Sequence, residues 1–135
     1  MPNQVFDSWA LLAFFKDEPA AGRVEGIIET ATTSGEPLLL SAINWAEIYY
    51  TMERAGGRAV AESVALEISS LPITVVGVGD DLDLARVAAR FKAAHKLSLA
   101  DAFAAALAKD REAELITGDP EFKALEKEVK IVWLR

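Results

Sequence analysis

The chain has no cysteine and a single histidine, His95. The first absence rules out a disulfide framework, a thiolate metal site and thiol catalysis. The second rules out a histidine-rich zinc centre. No apolar run is long enough to span a bilayer. Met1-Pro2-Asn3-Gln4 carries no basic stretch, and Asp7 interrupts the apolar residues too early for a signal peptide, so a secretory leader is not expected. A reducing cytoplasm is the expected setting.

Positive charge is also scarce. Lys and Arg number 14 against 21 Asp and Glu, giving a net charge of -7 and a pI of about 4.7. That balance speaks against binding nucleic acid mainly by general attraction to phosphates. Charge can be local, however, and bound cations would neutralise part of the acidic excess. From Arg86 to Lys96, the residues Arg86, Arg90, Lys92, His95 and Lys96 occur with no acid among them. Such a strip is ordinarily the solvated face of an amphipathic helix.

What is present is enough for one folded domain. A chain of 135 residues, 52% hydrophobic and 26% charged, has the composition of a soluble globule with a real core. A single domain over residues 1–135 is expected, with no linker or internal repeat. Short apolar runs alternate with helical patterns, which predicts repeated βα units: an α/β fold with a central, mostly parallel sheet of about five strands flanked by helices. The spacing predicts strands at Gln4–Phe6, Leu38–Ser41, Ile73–Val76, Glu114–Thr117 and Val129–Leu134. Helices are predicted at Trp9–Phe15, Ala20–Thr33, Ala42–Ala55, Arg58–Ser70, Asp81–His95, Ser98–Asp110 and, briefly, Asp119–Leu125. The strands read as continuously apolar, as parallel strands covered on both faces do. The aromatics of the early helices, Trp9, Phe14, Phe15, Trp45, Tyr49 and Tyr50, are expected to belong mostly to the core.

Four acids stand out by position, and each also has a plain structural explanation. Asp7 follows the first strand and precedes a helix, where it would serve as a cap. Glu47 is the only charged residue between Pro37 and Met52. With Asn44, Thr51, Arg54 and Arg58 it fits the solvent side of a helix. Asp101 in Ser98-Leu99-Ala100-Asp101 resembles a capping box. Asp119 in Thr117-Gly118-Asp119-Pro120 makes a strong helix start. Taken together they say more, because open α/β sheets bind ligands beyond the carboxyl ends of their strands. Asp7 and Asp119 leave strand ends there, and Glu47 and Asp101 sit in early helical turns. Two carboxylates about 4 Å apart repel by on the order of 4 kcal/mol at an effective dielectric near 20. A divalent cation removes that penalty, and helix amino termini keep the acids ionised as hard ligands for Mg²⁺ or Mn²⁺.

In order and spacing these residues resemble the PIN-domain ribonucleases, in particular VapC-like toxins of bacterial toxin-antitoxin pairs. The resemblance covers essentially the whole chain. It runs through Val5-Phe6-Asp7-Ser8-Trp9-Ala10-Leu11-Leu12, Ser41-Ala42-Ile43-Asn44-Trp45-Ala46-Glu47, Leu97-Ser98-Leu99-Ala100-Asp101-Ala102 and Thr117-Gly118-Asp119-Pro120-Glu121-Phe122. Trp9 departs from the pattern, where a small polar residue is commoner. The resemblance implies hydrolysis of an RNA phosphodiester with Mg²⁺ or Mn²⁺. Asp7, Asp101 and Asp119 would be principal ligands, with Glu47 binding the metal or orienting its water. Ser8, Asn44 and Thr117 would support them from behind. It also implies a small antitoxin and a homodimer as protein partners, with some aromatics lining the contact. Arg86, Arg90, Lys92 and Lys96 are candidate RNA phosphate contacts by their position before Asp101.

Three other readings compete. A response-regulator receiver would need adjacent acids after the first strand and a lysine near the end of the last. Ser8 follows Asp7, and Lys130 precedes the last strand's apolar core. A haloacid-dehalogenase-like phosphatase would need an Asp two residues after Asp7, where Trp9 stands. A non-catalytic module that keeps the fold and binds only protein remains open.

Overall fold

The structure, a computed structural model, describes residues 3–135. Met1 and Pro2, part of the stretch read against a leader, lie outside them. Five strands form one sheet: β1 (Gln4–Phe6), β2 (Leu38–Ser41), β3 (Ile73–Val76), β4 (Glu114–Thr117) and β5 (Ile131–Trp133). Their order is β3-β2-β1-β4-β5, and every pairing is parallel. Helices α1 (Ser8–Phe15), α2 (Ala21–Ser34), α3 (Ala42–Gly56), α4 (Arg58–Ser70), α5 (Asp83–Ala94) and α6 (Leu99–Asp110) flank it, with a 3₁₀ helix at Pro120–Leu125. The expected α/β fold is therefore present, and the sheet is wholly parallel. No helix among the described residues is long and apolar enough to cross a membrane.

The period-2 alternation of the strands divides the core. Val5, Leu39 and Leu115 pack with α5 and α6 on one face, while Phe6, Leu38, Leu40 and Ile116 pack with α1 to α4 on the other. Helix α6 is buried from Ala100 to Ala108, and its alanines allow close approach of the neighbouring elements. The strand order reverses at β1, so the crevice beyond β1 and β4 is the topological switch point of the sheet.

Several details differ from expectation. Only β1, β2 and β4 are covered on both faces; β3 is an edge strand with Thr74 and Val75 exposed, and β5 at the other edge is half-buried. The last strand begins at Ile131, because the Val129 N–H still donates to Leu125 O in a helical turn. Helix α5 begins at Asp83 because Asp81 accepts the Asp83 N–H and Leu82 adopts φ 65°. Five of the six early aromatics pack against the core without being fully buried. Trp9, Phe14, Phe15, Trp45 and Tyr49 are half-buried and Tyr50 is exposed, whereas Phe6, Phe91, Phe103 and Phe122 are buried. Their places along α1 and α3 put them at the rims of the core, where only part of each ring is covered.

Candidate functional site

Asp7 leaves β1 and caps α1. Its Oδ1 accepts the Ala10 N–H at 2.9 Å, and its Oδ2 accepts the Thr117 hydroxyl at 2.5 Å. The parallel pairing of β1 with β4 carries Thr117 to this position from the far end of the sequence. The Thr117 Oγ1 in turn accepts the Asp119 N–H at 3.0 Å. Asp7 is wholly buried. Burial pushes its carboxyl up to about 8; the two hydrogen bonds oppose the rise, and the charges of Asp101 and Asp119 add to it.

Asp101 stands in the first turn of α6, where Ser98 Oγ accepts its N–H at 3.1 Å. Burial first, then the charges of Asp119 and Glu47, push its carboxyl up to about 7. Asp119 caps the 3₁₀ helix by accepting the Glu121 N–H at 3.0 Å. The capping roles expected for Asp7 and Asp119 are thus real, as is that of Ser98 toward Asp101. Capping fixes the positions of Asp7 and Asp119, and the Ser98 cap that of the Asp101 backbone.

Carboxylate oxygens of Asp101, Asp119 and Glu121 all lie within 4.8 Å of one another. They line a crevice of about 300 Å³ together with Glu47, Ser8 and Trp9. The structure therefore brings Glu47, Asp101 and Asp119 to one place. Asp7 does not line the crevice, but the charges of Asp101 and Asp119 reach its carboxylate. Ser8 joins the crevice wall and receives a hydrogen bond from the Asn44 amide at 2.9 Å. Asn44 is fully buried, and its Oδ1 has no hydrogen-bond partner among the described residues. A donor set made only of oxygen suits a hard divalent cation, and crowding four acids at one crevice is costly without one.

Glu121 joins the cluster although the sequence pattern of the four acids does not include it. Its signal is the Asp119-Pro120-Glu121 turn, in which the first-turn acid shares the helix start with Asp119. The basic strip lies apart from the crevice lining. Arg86 pairs with Asp83 at 3.1 Å, Lys92 donates to Leu97 O at 2.9 Å, and His95 faces Glu128 at 3.7 Å. Arg90 and Lys96 are exposed.

The family model described as "PIN domain" matches residues 5–128. The chain belongs to the PIN domain family. Solved structures carry the same fold. A chain of the DNA-bound VapBC from Salmonella typhimurium is similar with a TM-score of 0.74 at 15% identity, over 100% of both chains. A toxin-antitoxin complex from Klebsiella pneumoniae gives 0.70 at 20% identity, over 98% of each chain. VapC20 of Mycobacterium tuberculosis, described as a sarcin-ricin loop cleaving toxin, gives 0.69 at 19% identity, covering 90% of this chain and 94% of that one. No curated protein matches the chain by sequence.

Proposed function

We propose that the chain is a divalent-cation-dependent endoribonuclease and the toxin member of a toxin-antitoxin pair. The convergence of Asp101, Asp119 and Glu121 within 4.8 Å, with Glu47 on the same crevice and Asp7 within reach of their charges, carries this reading. Membership of the PIN family supports nuclease chemistry. Likeness to VapBC chains, and to a toxin described as cleaving the sarcin-ricin loop, supports RNA as substrate and an antitoxin as partner.

In this reading Asp7, Asp101 and Asp119 hold Mg²⁺ or Mn²⁺, and Glu47 joins them or takes the proton from the attacking water. When bound, the cation polarises the phosphodiester and activates that water. The Thr117 hydroxyl and the Ala10 N–H keep Asp7 in one orientation; Asn44 donates to Ser8 on the crevice wall and braces it from behind. Arg86, Arg90, Lys92 and Lys96 are assigned to RNA phosphate, with Arg90 and Lys96 the freer of the four. Trp45 and Tyr49 stack at 5.4 Å on α3 and stay half-exposed, which supports this helix as a surface for the antitoxin or a second copy. The cytoplasm is the proposed setting.

The test is incubation of the purified chain with mixed RNA in Mg²⁺ or Mn²⁺, beside Asp7→Asn and Asp101→Asn. Cleavage by the wild type that both variants lose is expected. No cleavage, or cleavage unchanged in both variants, would favour a non-catalytic protein-binding module. A small basic DNA-binding protein encoded immediately upstream is expected for the toxin assignment; an isolated gene would count against it.

A further inference from the structure

The acidic crevice has a wall with a different character on its other side. Gly118, between Thr117 and Asp119, lies under the indole of Trp9 so closely that a Cβ there would come within 2.2 Å of the ring. The Gly118 carbonyl accepts the Arg135 Nε at 2.7 Å, and the Arg135 guanidinium sits 5.4 Å from the centre of the Trp9 ring. Trp9 lines the acidic crevice, whereas Gly118 and Arg135 line a second cavity of about 370 Å³ with Lys123, Glu126 and Trp133.

This second cavity holds two cations, Arg135 and Lys123, and neither forms an ion pair among the described residues. Its one acid, Glu126, accepts the Trp133 indole N–H at 3.1 Å, which fixes the ring against the cavity. Arg135 spends Nε on Gly118 and keeps its terminal nitrogens for a ligand. A guanidinium so anchored presents a planar fork suited to phosphate. An aromatic wall beside it suits a base, because every base has a face to stack. In a chain of net charge -7, a polyanion needs local cations near the reacting groups, and these adjoin Asp119 through Gly118.

We propose that this cavity is a nucleotide subsite of the RNA-cleaving crevice: Arg135 and Lys123 take a phosphate flanking the scissile one, and Trp133 stacks the neighbouring base. The assignment rests on the ribonuclease reading and adds to it how an acidic protein holds its substrate. Trp9 and Gly118 form the septum that sets the spacing between the two phosphates.

The test is the salt dependence of kcat/KM on a short labelled single-stranded RNA in Mg²⁺, for wild type, Arg135→Ala, Lys123→Ala, the double variant and Arg135→Lys. Both side chains are exposed, so the substitutions remove charge without opening the core. The double variant is expected to lose about tenfold in kcat/KM, carried by KM, with the slope of log(kcat/KM) against log salt smaller by about 0.7, the value for one phosphate on a single strand. Arg135→Lys is expected to keep most of the slope. Wild-type cleavage with an unchanged slope and KM in the double variant would overturn the subsite alone. A wild type that does not cleave RNA would overturn the ribonuclease reading and the subsite with it.

Discussion

The Thr117 hydroxyl donates to Asp7 and accepts the Asp119 N–H, so a single side chain at the end of β4 ties the buried Asp7 to Asp119 on the crevice wall. Thr117→Val keeps the shape and removes both hydrogen bonds. It is expected to lower RNA cleavage by about 10- to 100-fold, as loss of an orienting partner does at metal sites. The buried carboxyl left without its donor costs about 1–3 kcal/mol of stability. Thr117→Ser should recover most of both. Denaturation and cleavage rates of the three proteins check this, and equal rates in all three would contradict it.

Protons and cations compete for the same acids. Burial pushes the Asp7 carboxyl up to about 8 and that of Asp101 up to about 7, each from an ordinary 3.8. Between the ordinary and the raised value, the folded chain keeps a proton that the unfolded chain has already lost. These two groups therefore make the metal-free chain less stable as pH rises from about 4 to about 8. A divalent cation must displace the same protons, so its binding tightens with pH over that interval. Melting in EDTA is expected at a lower temperature at about pH 8 than at about pH 5, with a larger rise on adding Mn²⁺ at the higher pH. A Mn²⁺ effect independent of pH would count against this arrangement.

The Trp9 ring leaves no room for a side chain at position 118. Gly118→Ala is expected to destabilise the chain by about 1–3 kcal/mol through overpacking. Trp9→Phe shortens the ring at the point of contact, so the double variant should lose less than the sum of the single ones. Urea denaturation of the four proteins gives the coupling; strict additivity would mean that the two residues do not meet.

Much of this was legible in the sequence, because the relevant signals are local. The β-branched run at Ile73–Val76 and the caps at Ser41, Ser98 and Asp119 fall where the pattern places them. The exposure of β3 was not legible, since an apolar strand looks the same at the edge of a sheet as in its middle. The partial exposure of Trp45 and Tyr49 was hidden for a similar reason: hydrophobicity gives a preference for the core, and tertiary packing decides how much of a ring is covered. At the site, Asp7, Glu47, Asp101 and Asp119 could be picked out by their distance from strand ends. Glu121 is marked only by its place in the Asp119-Pro120-Glu121 helix start, and Arg135 by nothing local, because the path of the chain beyond β5 brings it in.

Glu121 provides an independent check on the cluster. Glu121→Gln removes one charge from an exposed position, so stability should stay within about 0.5 kcal/mol of wild type. Mn²⁺ affinity is expected to fall about tenfold if its carboxylate shares the cation with Asp101 and Asp119. Unchanged affinity, measured calorimetrically, would confine the centre to the other acids.

The most direct measurement of the central claim is Mn²⁺ binding followed by electron paramagnetic resonance, with Mg²⁺ as competitor, in wild type and Asp101→Asn. If the acids form one centre, the wild type binds Mn²⁺, Mg²⁺ displaces it, and Asp101→Asn weakens binding at least about tenfold. Equal Mn²⁺ binding by both proteins would contradict a shared centre at Asp101.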